Sequence, residues 1–188
     1  VTIDERRIHH VHSRTEGWIE TVHADYVGRP VKHGELLFTL YSPELFASQQ
    51  EFLLALRARE TMQRSSREED RRQMDSLIAA ARQRLEQWEL TPQQIAELEQ
   101  SRKPVRAIPF YSPHAGLITA RNAFPHQMAK PDMELYTIVD YSRVWVIADL
   151  YEYEAANVRP GMTGMVTSSY TQDRPLPARV TFVQPEVD

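Results

Sequence analysis

Ser42-Pro43-Glu44-Leu45-Phe46-Ala47-Ser48-Gln49-Gln50-Glu51-Phe52-Leu53-Leu54-Ala55-Leu56 opens a helical stretch, residues 43–103, that interrupts an otherwise β-rich chain. Ser42 offers an N-cap hydroxyl, Pro43 suits the first helical position, and Glu44 sets a carboxylate at the positive end of the dipole. Leu45, Phe52, Leu53 and Leu56 recur at helical spacing. The apolar pattern fades from Met62 to Asp70, which reads as a bend. It resumes with Met74, Ala81 and Trp88, each seven apart, and with Ile78 and Leu85, also seven apart. Leu77 is expected on the same face, so the spacing predicts a coiled-coil-like seam closed against the first helix. Thr91-Pro92-Gln93-Gln94 has the spacing of a capping box, which starts a third, short helix carrying Ile95 and Leu98. That helix is expected to fold back on the pair and to end at Lys103-Pro104. Twenty helical residues span roughly 30 Å, so the arm should project well beyond the module that bears it.

Working outward, the two flanks of the arm read alike. Glu16-Gly17-Trp18-Ile19-Glu20 through Leu36-Leu37-Phe38-Thr39-Leu40 precedes it, and Ser112-Pro113-His114-Ala115-Gly116-Leu117-Ile118 through Leu135-Tyr136-Thr137-Ile138-Val139 follows it. Each is a Gly-turned short strand, a loop, and an alternating strand. Gly28 and Gly34 supply turn positions where φ > 0 is cheap. Beyond the flanks, Val1–His12 reads as extended, with His10 and His12 on one face and His9 on the other. Val144–Leu150 has the β-branched alternation of a strand, and residues 153–158 suit one helical turn. Met165–Thr167 and Leu176–Val183 read as two more strands. So few strands with two edges make a marginal sheet. Either Val1–Ile8 closes it, or the chain stops inside a barrel.

Composition removes several function classes. Net charge is −4, which gives no basic footprint for nucleic acid. No window approaches the ~18 apolar residues of a membrane span. No signal peptide is visible, and the chain opens on Val1 rather than Met, as a trimmed or mature form would. Cysteine is absent, so disulfides, thiolate metal sites and cysteine nucleophiles are excluded. Ser65, Ser112 and Ser168 lie outside any G-x-S-x-G elbow, and the acidic run Glu68-Glu69-Asp70 reads as a solvated helix face. No enzyme is expected.

Several phrases in this order resemble the periplasmic adaptor subunits (membrane fusion proteins, HlyD/RND type) of tripartite RND efflux systems, in the heavy-metal, CusB-like branch. They are His10-Val11-His12 with Glu16-Gly17-Trp18-Ile19-Glu20, Tyr41-Ser42-Pro43-Glu44-Leu45 with Gln49-Gln50-Glu51, Ser112-Pro113 with Gly116, and Val144-Trp145-Val146 with Tyr151-Glu152. The resemblance covers essentially the whole chain. It implies an α+β, elongated and modular fold: an α-helical hairpin, with a third helix, inserted in a lipoyl-like barrel-sandwich hybrid, followed by a partial antiparallel β-barrel. Residues 1–8 would be the first barrel strand, 9–42 the first lipoyl-like half and 43–103 the hairpin. Residues 104–140 would be the second half and 141–188 the start of the barrel, with the membrane-proximal domain absent. His126 and Asp132 stand where the family tends to place turn glycines.

The resemblance further implies periplasmic, inner-membrane-associated coupling of an inner-membrane RND pump to an outer-membrane channel in a Gram-negative envelope. The adaptor would form a ring of like copies, and its cargo would be heavy-metal cations (Cu/Ag or Zn/Co/Cd). Met62, Gln63, Arg64, Ser65, Ser66 and Arg67, at the bend, would dock on the channel; the plainer reading is that exposed bends are often rich in Arg and Ser. No cofactor is implied. A lipoyl or biotin carrier needs a modifiable lysine on a tight turn between its halves, and Lys32, Lys103 and Lys130 do not stand there. His10 and His12 share a face, but two ligands do not close a metal site. Thioethers of Met128, Met133, Met162 and Met165 suit soft cations, yet no metal site is assigned. Two alternatives remain at this stage: a periplasmic metal-binding carrier that loads the pump, and an adaptor for drug or protein export.

Overall fold

A computed structural model describes residues 1–62, 68–167 and 175–184. The chain forms two units, one of Ile3–Trp145 and one of Val1–Thr2 with Val146–Asp188.

The larger unit is built on two four-stranded antiparallel sheets, and its strands come from both sides of the arm. After β1 (Thr2–Ile3), they are β2 (Ile8–His12), β3 (Gly17–Val22), β4 (Pro30–Val31) and β5 (Leu36–Tyr41) before the arm. Behind it come β6 (Ile108–Tyr111), β7 (Gly116–Arg121), β8 (Met128–Ala129) and β9 (Glu134–Val139), then β10 (Val144–Trp145), which pairs with β1. The sheet orders are β2-β9-β7-β4 and β6-β5-β3-β8. Each half therefore lends its shortest strand to the other half's sheet, β4 to β7 and β8 to β3. The sheet alternation predicted from sequence buries Ile19, Phe38, Leu40, Ile118, Tyr136 and Ile138 in the shared core. Phe38 stacks between Phe110, at 4.9 Å, and Tyr136, at 6.0 Å.

The halves repeat each other down to single hydrogen bonds. Gly28 N–H donates to the Ile118 carbonyl at 2.8 Å, and His126 N–H donates to the Ile19 carbonyl at 2.7 Å. Ser13 and Ser112, both buried, each donate a hydroxyl to the carbonyl two residues on, at 2.7 and 2.6 Å. Gly28 has φ 92°, and His126 takes φ 64° at the equivalent turn, a left-handed backbone that L residues adopt at a cost. The missing turn glycine is thus replaced without changing the turn. Asp132, equivalent to Gly34, does not share that glycine's positive φ.

The arm consists of α1 (Pro43–Met62), α2 (Glu68–Gln87) and α3 (Pro92–Ser101). Ser42 caps α1: its hydroxyl accepts from the Leu45 N–H at 3.3 Å. Thr91 and Gln94 form the expected capping box, and α3 ends on Arg102 with φ 57°. Leu45, Phe52, Leu53 and Leu56 of α1 bury against Leu85 of α2 and against Ile95 and Leu98 of α3. Ile78, Ala81 and Trp88 pack at the edge of this second core.

Three expectations are corrected. Leu77 is 53% exposed rather than in the seam; it precedes Ile78 by one residue, about 100° around the helix. Val1–His12 is not one extended run, because Asp4 accepts from Arg6 N–H at 3.1 Å and starts a 3-10 turn over Glu5–Arg7. The strand expected over Val144–Leu150 ends at Trp145. From Val146 to Leu150 no described strand offers a ladder partner.

The smaller unit holds α4 (Glu152–Ala155) and the antiparallel pair β11 (Thr163–Val166) and β12 (Leu176–Arg179). Ile147, Tyr153, Met165 and Phe182 in it are exposed.

Candidate functional site

The arm is the feature that sequence and structure both single out, and its base is clamped by buried polar groups. Thr15 and Ser42 hydroxyls lie 2.8 Å apart beneath the start of α1. On the next turn, Gln49 is buried and bonds both backbone groups of Val105. Its amide donates to the carbonyl at 3.0 Å, and its oxygen accepts from the N–H at 2.8 Å. The outgoing and returning chains are therefore tied together where the arm leaves the sheets. Higher up, Glu51 pairs with Arg84 at 2.7 Å and Asp75 with Arg59 at 3.1 Å, both across the two long helices. Such exposed pairs add little stability; they set the register of one helix against the other.

Between those two ion pairs lies an open apolar groove of about 500 Å³, lined by Leu54, Ala58, Met74 and Leu77 among others. Toward the far end, a polar cleft of about 600 Å³ is lined by Arg59, Glu68, Arg71, Arg72 and Asp75. Three guanidiniums there face two carboxylates, but Glu60, Glu69 and Asp70 stand on the same two helix ends, so the described residues there carry no basic excess. Of the expected docking residues, Met62 is the last of α1, and Gln63, Arg64, Ser65, Ser66 and Arg67 lie outside the described residues.

The other candidate groups are dispersed. His10 and His12 share a face, with ring centroids 6.4 Å apart, and His10 Nδ1 lies 3.1 Å from a Glu134 carboxylate oxygen. The Thr137 hydroxyl holds the Glu134 carboxyl below its usual range; partial burial opposes this and His10 adds to it. His9, on the opposite face, stacks on His114 with centroids 3.5 Å apart. Met133 packs against the sheet core, Met128 pairs across from Trp18, and Met162 and Met165 lie in the smaller unit. Among the described residues, no three His, Asp or Glu side chains gather as metal ligands. Lys32 and Lys130 follow β4 and β8, in equivalent turns inside each half. Among the described residues, no helix is long and apolar enough to cross a membrane.

Sequence reasoning missed the Gln49–Val105 clamp and the His9–His114 stack. The second left a trace, since Ser13-Arg14-Thr15-Glu16-Gly17 and Ser112-Pro113-His114-Ala115-Gly116 are one turn written twice. Aligning the halves would have set His114 opposite Thr15.

A β-sandwich of two interleaved halves, parted by a helical hairpin, defines a class of barrel-sandwich hybrid proteins. Residues 8–139 match the family described as "CusB, barrel-sandwich hybrid domain". The chain belongs to that family. Residues 143–188 match "CusB-like, beta-barrel domain". The solved structure of ZneB from Cupriavidus metallidurans is 22% identical with a TM-score of 0.54, over 100% of this chain and 82% of that one. A MacA-MexA chimera carrying the Pseudomonas aeruginosa MexA α-hairpin domain is 17% identical with a TM-score of 0.62, over 98% of this chain and 66% of that one. At these identities the likeness is one of fold. Among curated proteins, "UPF0194 membrane protein in asrC 5'region" of Acidithiobacillus ferridurans is 30% identical over 111 residues. The match takes in 59% of this chain, and the chain spans only 31% of that relative's length.

Proposed function

We propose that this chain is the hairpin-bearing portion of a periplasmic adaptor that couples an inner-membrane RND pump to an outer-membrane channel. The observation that carries the reading is the arm itself: two helices of 20 residues each, rooted in a sheet module through buried polar clamps. That is a device for reaching a partner at a distance, and its work is non-covalent. Residues 9–42 and 104–140 act as the two sandwich halves, 43–103 as the hairpin, and 141–188 with 1–8 as the start of a barrel. In the assembled pump several copies stand side by side around a conduit, associated with the inner membrane of a Gram-negative cell. The residues around 62–67, which join the two long helices in sequence, meet the channel.

The cargo we infer is a heavy-metal cation, supported by the CusB-like character of both matched segments. The test is a susceptibility panel on cells lacking the full-length gene, covering copper, silver, zinc, cobalt, cadmium, dyes and detergents. Hypersensitivity confined to one or two metals is expected. Sensitivity to dyes with normal metal tolerance would keep the adaptor and overturn the cargo. Unchanged tolerance throughout would count against both.

A further inference from the structure

The two pseudo-equivalent turns of the sandwich are held in chemically different ways. At the turn before β3, Thr15 faces the hydroxyl of Ser42, where the chain leaves for the arm. Neither group titrates near neutral pH. At the turn before β7, the equivalent residue is His114, and it stacks on His9 of edge strand β2 at 3.5 Å with the rings 12° from parallel. β2 is hydrogen-bonded on one side only, to β9. Its neighbour Arg7 bonds Asp140 and the Ser142 hydroxyl, where the chain leaves β9. We propose that the His9–His114 stack is a proton-sensitive clasp, closed when both rings are neutral, that fixes edge strand β2 to the turn before β7.

Stacked neutral imidazoles attract through dispersion and burial, whereas a second proton in a face-to-face pair sets like charges against each other. The surrounding groups act in the same sense. His9 is held below the ordinary histidine value first by burial and then by His114, with Arg7 and His10 adding to this and Asp140 opposing it. Those are the charged and titratable groups that face the ring: Arg7 and His10 from its own strand region, Asp140 beyond β9, and His114 from the turn. Since the folded chain disfavours the charged ring, the clasp's stabilisation is complete above the unfolded value of about 6.5. It is lost as pH falls from there through the lower native value. Mild acidification therefore frees β2 while the hydroxyl-held turn at Thr15 stays closed, so the two ends of the sandwich respond differently to protons.

The clasp is tested on the 188-residue chain by amide-exchange protection at pH 7.5 and 5.5, with histidine C2 proton titrations read in parallel. The expected result is a loss of protection for residues 8–12 at the lower pH, with β3 unchanged. His9 should titrate below the ordinary histidine value. His9→Phe, which keeps a stacking ring without a titratable group, and His114→Thr, which copies the opposite turn, should each remove the pH response. Equal protection at both pH values in the wild type would overturn the clasp. So would an ordinary His9 titration, or a pH response that survives both substitutions. The titration needs no variant, so the idea stays testable if either substitution fails to fold.

Discussion

Gly17 and Gly116 show how much of the sandwich hangs on single residues. A Cβ on Gly17 would sit 2.4 Å from the Tyr41 carbonyl oxygen, and one on Gly116 would sit 2.6 Å from that of Val139. The obstacle is backbone in both cases and cannot rotate away. Gly17→Ala or Gly116→Ala should each cost about 3 kcal/mol, the upper part of the usual overpacking range, read by urea denaturation. His126 runs the other way. Its exposed side chain sits on a left-handed backbone, so His126→Gly relieves roughly 1–2 kcal/mol of conformational cost. The substitution gives back about 0.4–1 kcal/mol in unfolded-chain entropy, and a net gain of about 0.5 kcal/mol is expected in the same assay. Tyr136 is fully buried, and its hydroxyl donates to the Ala24 carbonyl at 3.0 Å. Burial pushes its phenol up to about 12. The native value lies above the unfolded one, so this contribution is complete below pH 10 and disappears as pH rises through 12. Ultraviolet titration should find one tyrosine ionising near 12, and Tyr136→Phe should remove that step.

At the scale of elements, the arm was the most legible part of the chain, because its signals are local. Ser42, Thr91 and Gln94 announce helix starts through their own hydrogen bonds, and Leu45, Phe52 and Leu85 announce buried faces by period. The miss at Leu77 was also a matter of period, since Leu77 stands about 100° around the helix from Ile78 and α2 turns Ile78 to the shared core while Leu77 stays exposed. The distinction predicts that Leu85→Ala costs about 2–5 kcal/mol, while Leu77→Ala stays within about 0.5 kcal/mol; thermal unfolding followed by circular dichroism separates the two. The exchange of β4 and β8 between sheets was illegible. Both are two-residue strands, too short for any alternation to show, and the partners that fix them lie on the far side of the arm. Of the candidate site, residues 62–67 came from resemblance and helix geometry rather than from any chemistry in the residues themselves. Gln49 gave no local signal, because its partner Val105 is reached only after three helices have folded.

For the whole molecule, the sequence carries one idea clearly: a duplicated β-module opened at its midpoint to let a hairpin out. The duplication places the arm's two roots side by side, and the buried Thr15–Ser42 and Gln49–Val105 contacts fix the direction in which it leaves. A fixed direction is what a coupling part needs, because a swinging arm would lose the orientational gain of a pre-set geometry. The most direct test places a photo-cross-linking amino acid at Arg64 or Arg67 of the full-length protein in living cells. Cross-links from those positions to the outer-membrane channel, absent from a control position on the sandwich such as Tyr26, are the predicted result. If Arg64 and Arg67 cross-link to no channel while the protein accumulates normally, the adaptor reading of this hairpin is contradicted.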